Sequence, residues 1–219
     1  GTGATNLGKQ RNAAVGATDT LVEAGFIRND ALTTFGTTAN YNVATVDKYG
    51  SLIVKDQTRH KTTYSLAFTV TLAATPTDVF QIIGSASKTI SITKLNISGS
   101  QTTGGQATVT IVKRSTANTA GTSSASTMVP HDSADAAATA VGAIYTANPT
   151  TGTPVGNIRI FAIPLGAATA TTNNIVQIDF GERAKPIVLN GVTQALAINL
   201  GGATLTGGSL NIWMEFTEE

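Results

Sequence analysis

His131-Asp132-Ser133 brings together the three residue types of a hydrolase triad. A triad is assembled in space, each group reaching the next by a hydrogen bond, and three consecutive side chains cannot do that. No G-x-S-x-G elbow accompanies them, so the expected role is a turn capped by Asp132 or Ser133. His60 and His131 are the only histidines, and neither has a metal-ligand spacing such as H-x-x-x-H. Asp132 and Asp135 lack the rest of an EF-hand pattern. Asp179 and Glu182 are the one close acid pair after a predicted strand. Glycosidase chemistry needs two carboxylates across a cleft, whereas these precede Arg183 at a Gly-Glu-Arg turn, where a surface ion pair is the ordinary explanation. The Gly-Gly pairs at 104, 201 and 207 lack the helix and lysine of a phosphate loop and read as turns. Asn96-Ile97-Ser98 is a formal glycosylation sequon inside a predicted strand. Trp213 would serve as a carbohydrate platform if exposed, and Tyr145 is the other aromatic proposed for an exposed binding surface; packing against a neighbour is the structural alternative for Trp213. The sequence therefore predicts no catalytic residue, no metal site and no cofactor.

The elements that must hold these residues are strands. The chain has 38 Thr and 22 Gly in 219 residues, with only 12% charged side chains and 41% hydrophobic ones. Threonine is β-branched, fits a half-exposed pleated surface and is a poor helix former. A net charge of +1 with acids and bases interspersed, and few aromatics, give no footprint for nucleic acid. No run is long and apolar enough to suggest a transmembrane helix, and the start shows no signal-peptide pattern. With no cysteine, stability must come from core burial and subunit association.

Lys88 to Arg114 gives the strongest strand signal. Ile90 and Ile92 share one parity, Leu95 and Ile97 the other, so the pattern slips by one near Thr93-Lys94, as a β-bulge would make it. Ala107, Val109 and Ile111 then alternate with Thr108, Thr110 and Val112, and the two runs read as a hairpin. Tyr64 to Leu72 alternates over nine residues. Further strands are expected at 79–83, 141–145, 157–163, 174–180, 187–189, 194–200 and 209–216, with Asn190-Gly191 as a type I′ turn. Ser115 to Thr139 breaks the rhythm and reads as a surface excursion, with a short helix expected over Asp132 to Ala140.

Three regions follow: an extended arm over 1–42, a β-hairpin and linker over 43–61, and an all-β domain over 62–219. The domain is expected to be an antiparallel, jelly-roll-like β-sandwich. Leu21, Phe26, Ile27 and Phe35 are the apolar residues of the arm expected to make assembly contacts. The hairpin is read from Asp47-Lys48-Tyr49-Gly50 between two apolar runs.

The blocks TKLNISGSQTTGG, IVKRSTANTAGTSS, MVPHDSADAAATA, YTANPTTGTPVG, FGERAKPIVLNG and GGSLNIWMEFTEE resemble a family of tailed-bacteriophage virion structural proteins. The resemblance runs from about Tyr64 to Glu219, and the segment Asp47 to Val54 looks like the short VDxxGxLxV element that precedes many phage fibre and decoration modules. It implies a non-enzymatic β-sandwich located in the virion, assembled as a homotrimer against other virion proteins such as the major capsid or tail proteins. The expected function is capsid decoration or a head fibre attached through the N-terminal arm. The alternative is a tail or tail-fibre component that binds a host surface glycan as its receptor.

Overall fold

The structure, a computed structural model, describes residues 61–167, 175–181 and 185–219, together with the backbone of 27–28 and 45–46. The chain divides into two compact units, Gly1–Gln57 and Thr58–Glu219. In the first, β1 (Ile27–Arg28) pairs in parallel with β2 (Thr45–Val46). Leu21, Phe26, Phe35 and the turn of the expected hairpin lie outside the described residues, as does the side chain of Ile27.

The second unit is all-β. In chain order it contains β3 (Thr62–Thr71), β4 (Asp78–Ile83), β5 (Thr89–Gln101), β6 (Gly105–Arg114), β7 (Ser123–Ala125), β8 (Met128–Pro130) and β9 (Val141–Tyr145). It continues with β10 (Pro154–Ala167), β11 (Val176–Asp179), β12 (Ile187–Asn190), β13 (Ala195–Asn199) and β14 (Ser209–Glu218). These twelve strands form one mixed sheet in the order β7-β9-β4-β13-β6-β10-β5-β14-β3-β8, with β11 and β12 also on β5. The expected sheet was wholly antiparallel. One pairing departs from that: Gly166–Ala167 of β10 runs parallel to Ser100–Gln101 of β5.

The sheet is strongly curled. β3 and β4 are separated by five strands in the order, yet the rings of Phe68 and Phe80 meet with centroids 4.9 Å apart. The outermost strands, β7 and β8, are joined through Ser126-Thr127 alone. Alternating residues of both halves therefore share one core: Tyr64, Leu66 and Val70 of β3, Phe80 and Ile82 of β4, Val109 and Ile111 of β6, and Leu210, Ile212, Met214 and Phe216 of β14.

The predicted bulge is present. Glu215 of β14 pairs with Lys94, but Phe216 pairs with Ile92, which leaves Thr93 as the extra residue. Its hydroxyl donates to the Glu215 carbonyl at 3.1 Å and to the Glu215 carboxylate at 2.9 Å. The slip lets Ile90, Ile92, Leu95 and Ile97 all point inward, each fully buried.

Two expected hairpins are not formed. β5 and β6 are consecutive but unpaired, because β10 lies between them and β5 already carries β14 on one edge and β11 and β12 on the other. Similarly, β12 joins β5 while β13 joins β4 and β6. Asn190-Gly191 thus starts a crossover, with only Gly191 at positive φ (76°), not the two positive values that a type I′ turn requires.

The expected helix over Asp132 to Ala140 is also absent. Its backbone groups have tertiary partners instead: the Ala136 carbonyl accepts from the Tyr64 hydroxyl at 2.8 Å, and the Thr139 and Ala140 amides donate to the Glu218 carboxylate. Glu218 is 2% exposed, and Lys88 Nζ lies 3.4 Å from it.

Candidate functional site

The groups that suggested chemistry are dispersed. The Asp132 carboxylate accepts from Ala134 N at 2.9 Å within its own turn, closed by Asp135 N donating to the Asp132 carbonyl at 3.0 Å, so the capped turn expected here is formed. His131, just after β8, shares an exposed 2.7 Å hydrogen bond with the hydroxyl of Ser65 on β3, a pairing with no local signal in the sequence. No hydrogen bond or ion pair joins His131 to Asp132 among the described residues. Asp179 is exposed at the end of β11, beside Lys94 in register and with the Gln177 amide 3.4 Å away; Glu182 lies outside the described residues. No group of three or more His, Cys, Asp or Glu side chains close enough to hold a metal ion occurs among the described residues.

The densest polar chemistry is buried, and the sequence reading passed over it. Asp78 begins β4, where a turn residue was expected, and Arg114 ends β6. The Arg114 guanidinium grips the Asp78 carboxylate with Nε at 2.8 Å and a terminal nitrogen at 2.7 Å. Asn118 and Asn199 donate to the same carboxylate at 2.8 and 2.6 Å. The other terminal nitrogen of Arg114 donates to the Gly152 carbonyl at 2.7 Å, while Gly152 N donates to Asn118 Oδ1 at 2.9 Å. Asn118 N donates to Gln81 Oε1 at 2.9 Å, and Gln81 Nε2 to the Tyr145 hydroxyl at 2.6 Å. A charge taken out of water must be paired and its remaining lone pairs and protons satisfied. This network meets that requirement, clamping the loops after β6 and β9 to β4.

Tyr145 is therefore not an exposed binding aromatic. It is 5% exposed, and burial above all raises its pKa, with the Asp78 charge adding to the rise against an opposing hydrogen bond from Asn118. Its apolar ring packs inside while its hydroxyl ends the polar chain, the usual arrangement for a buried tyrosine.

Trp213 lies on the outer face of the curled sheet, half-exposed. In register it is flanked by Ala67 of β3 and Asn96 of β5, and the adjacent outer row is Thr69, Asn211 and Ser98. These six residues and Ile175, which is 68% exposed, border a shallow groove of about 460 Å³. The residue opposite the indole on β3 is the small Ala67. The Thr69 hydroxyl donates to Asn211 Oδ1 at 2.6 Å, which orients that amide. Asn96 Oδ1 is buried without a hydrogen-bond partner. The alternation of β14 placed Trp213 opposite the inward set in the sequence; the groove itself depends on the pairing of β14 between β3 and β5, which no local pattern encodes. No protein-family model, no curated protein and no solved structure matches the chain.

Proposed function

We propose that the chain is a non-enzymatic structural protein of a tailed-phage virion, a capsid decoration or head-fibre protein whose β-unit is a jelly-roll-like sandwich and whose N-terminal arm attaches it to the particle. The phage assignment rests on the sequence blocks that resemble that family. The observation that carries the assembly reading is the free edge of β10. One side of this strand pairs with β6 from Pro154 to Leu165; on the other, only Gly166–Ala167 is paired among the described residues. The seven residues from Pro154 to Ile160 are all exposed. Val155, Ile158 and Ile160 are 64%, 44% and 58% exposed.

A long unpaired edge with apolar side chains is a template for another chain, and monomeric proteins blunt such edges. Here the blunting is incomplete. Register shifts at Val155 and Ile158 bend the strand, and Arg159 is its one charge. Covering the exposed parts of the three apolar side chains would contribute about 3 kcal/mol, before any main-chain hydrogen bonds to a neighbour. A neighbouring copy in a homotrimer is the partner proposed for this edge.

Sedimentation of the full chain tests this reading. The expected species is a trimer, converted to monomer by Ile158→Lys with Ile160→Lys while the circular dichroism spectrum is retained. A wild-type chain that stays monomeric throughout the micromolar range would overturn it.

A further inference from the structure

The outer face of β3, β14 and β5 has features that subunit packing does not explain. None of the residues lining the Trp213 groove is ionisable, although the next row on the same face, Ser65, Glu215 and Lys94, carries an ion pair with N···O 3.4 Å. Inside the groove lie a half-buried indole, two amides and two hydroxyls. Asn96 Oδ1 is a buried acceptor lacking a donor. Asn211, with Oδ1 engaged by Thr69, turns its NH₂ away from that bond.

We propose that this groove binds a neutral saccharide. A sugar ring has an apolar face of C–H groups suited to the indole of Trp213. Its equatorial hydroxyls both donate and accept, so one can accept from the Asn211 amide while another donates to the Ser98 hydroxyl. The absence of charge in the lining disfavours anionic sugars, phosphate and peptides rich in ionised side chains. The volume lies within the range of small-ligand sites, toward its lower end, which fits a short saccharide on a shallow surface. The proposal does not depend on the β10 edge or on the assembly state, since β3, β14 and β5 all belong to one subunit.

Trp213 is the only tryptophan in the chain, so its fluorescence reports this groove directly. The experiment titrates the full-length protein with glucose, galactose, mannose and N-acetylglucosamine, each as the free sugar and as a β-linked disaccharide, with N-acetylneuraminic acid as the charged control. The expected result is a saturable change in Trp213 emission with at least one neutral sugar, at a Kd on the order of 1 mM, and none with the control. Saturation-transfer NMR then compares Asn211→Asp, which preserves side-chain shape and the acceptor for Thr69 while removing the NH₂ donor, with Trp213→Ala. Binding should weaken about tenfold in the first, for one disrupted hydrogen bond, and disappear in the second. Circular dichroism and sedimentation show that each variant is folded and assembled as the wild type. No saturable response to any sugar of the panel overturns the proposal, as does unchanged binding by folded Trp213→Ala. Either result leaves the trimer measurement, and the structural reading it tests, untouched.

Discussion

Replacing Asp78 by alanine removes the centre of the buried network, and its cost can be worked from the contacts. The Asp78 side chain is 0% exposed and that of Arg114 6%. The carboxylate accepts four hydrogen bonds, two from Arg114 and one each from Asn118 and Asn199. In Asp78→Ala the guanidinium stays buried with the Gly152 carbonyl as its one remaining partner. Breaking one side of a buried ion pair costs about 3–5 kcal/mol, because the surviving charge is uncompensated. Two orphaned amides would add to this if they cannot relax toward water, though terms within one network do not sum. The expected destabilisation is about 4 kcal/mol or more, which in a unit of this size lowers Tm by roughly 8–16 °C. Asp78→Leu combined with Arg114→Met removes both charges and should recover most of that loss, since a buried pair is often replaceable by apolar residues. Urea unfolding followed by far-UV circular dichroism, run as a double-mutant cycle, measures the coupling. A cost below about 1 kcal/mol for Asp78→Ala, or a coupling near zero, would refute the claim that this pair clamps the loops to β4.

Val109 and Ile111 are both fully buried on the inner face of β6. Truncating either to alanine should cost about 2–4 kcal/mol in the same unfolding assay, and a near-neutral result would mean that β6 faces the other way. Tyr64 has its pKa raised by burial, with the charges of Glu218 and Asp135 reinforcing the shift, and Tyr145 is also raised. A phenol whose folded pKa exceeds its unfolded value contributes full stability below the unfolded pKa and loses it as pH rises through the folded one. Absorbance at the phenolate band should therefore show these two of the four tyrosines titrating above the ordinary value of 10.0, together with loss of the fold. Normal titration of all four with the fold intact would contradict their placement.

Much of the β-unit was legible because alternation is a local signal. A strand half-buried on one face must read apolar-polar at period two; β3 does so from Tyr64 to Val70 and β6 from Ala107 to Ile111, while β14 keeps its inward set of Leu210, Ile212, Met214 and Phe216 in register. Even the bulge was visible, since one extra residue inverts the parity on either side of Thr93. Pairing was not legible. The crossings after β5 and β12 resemble hairpin turns in composition, yet β6 is kept off β5 because the edges of β5 are filled by β14, β11 and β12 from much later in the chain, and β13 instead pairs between β4 and β6. The missing helix has the same cause. Residues 132–140 have adequate helix propensity, but Glu218 and Tyr64 offer their backbone groups better partners than a single isolated turn would.

The polar network gives a structural role to stretches that carry no strand period. Arg114 and Asn118 belong to the block KRSTANT, Tyr145 and Gly152 to YTANPTTG. A core position of β6 or β14 accepts several aliphatic side chains at modest cost, so its identity says little beyond strand. Each member of the network is tied to one length, one donor pattern and one backbone shape. Arg114 must deliver a planar fork to Asp78 and a third N–H to Gly152, which lysine cannot do. Asn118 must donate and accept with the same amide. Gly152 has no room for a Cβ against the Thr116 carbonyl. Specificity therefore sits in the loops that the network fixes. The chemistry was hidden in the sequence because its partners come from β4, β6, β13 and two separate loops, and a buried charge that loses one partner is left uncompensated.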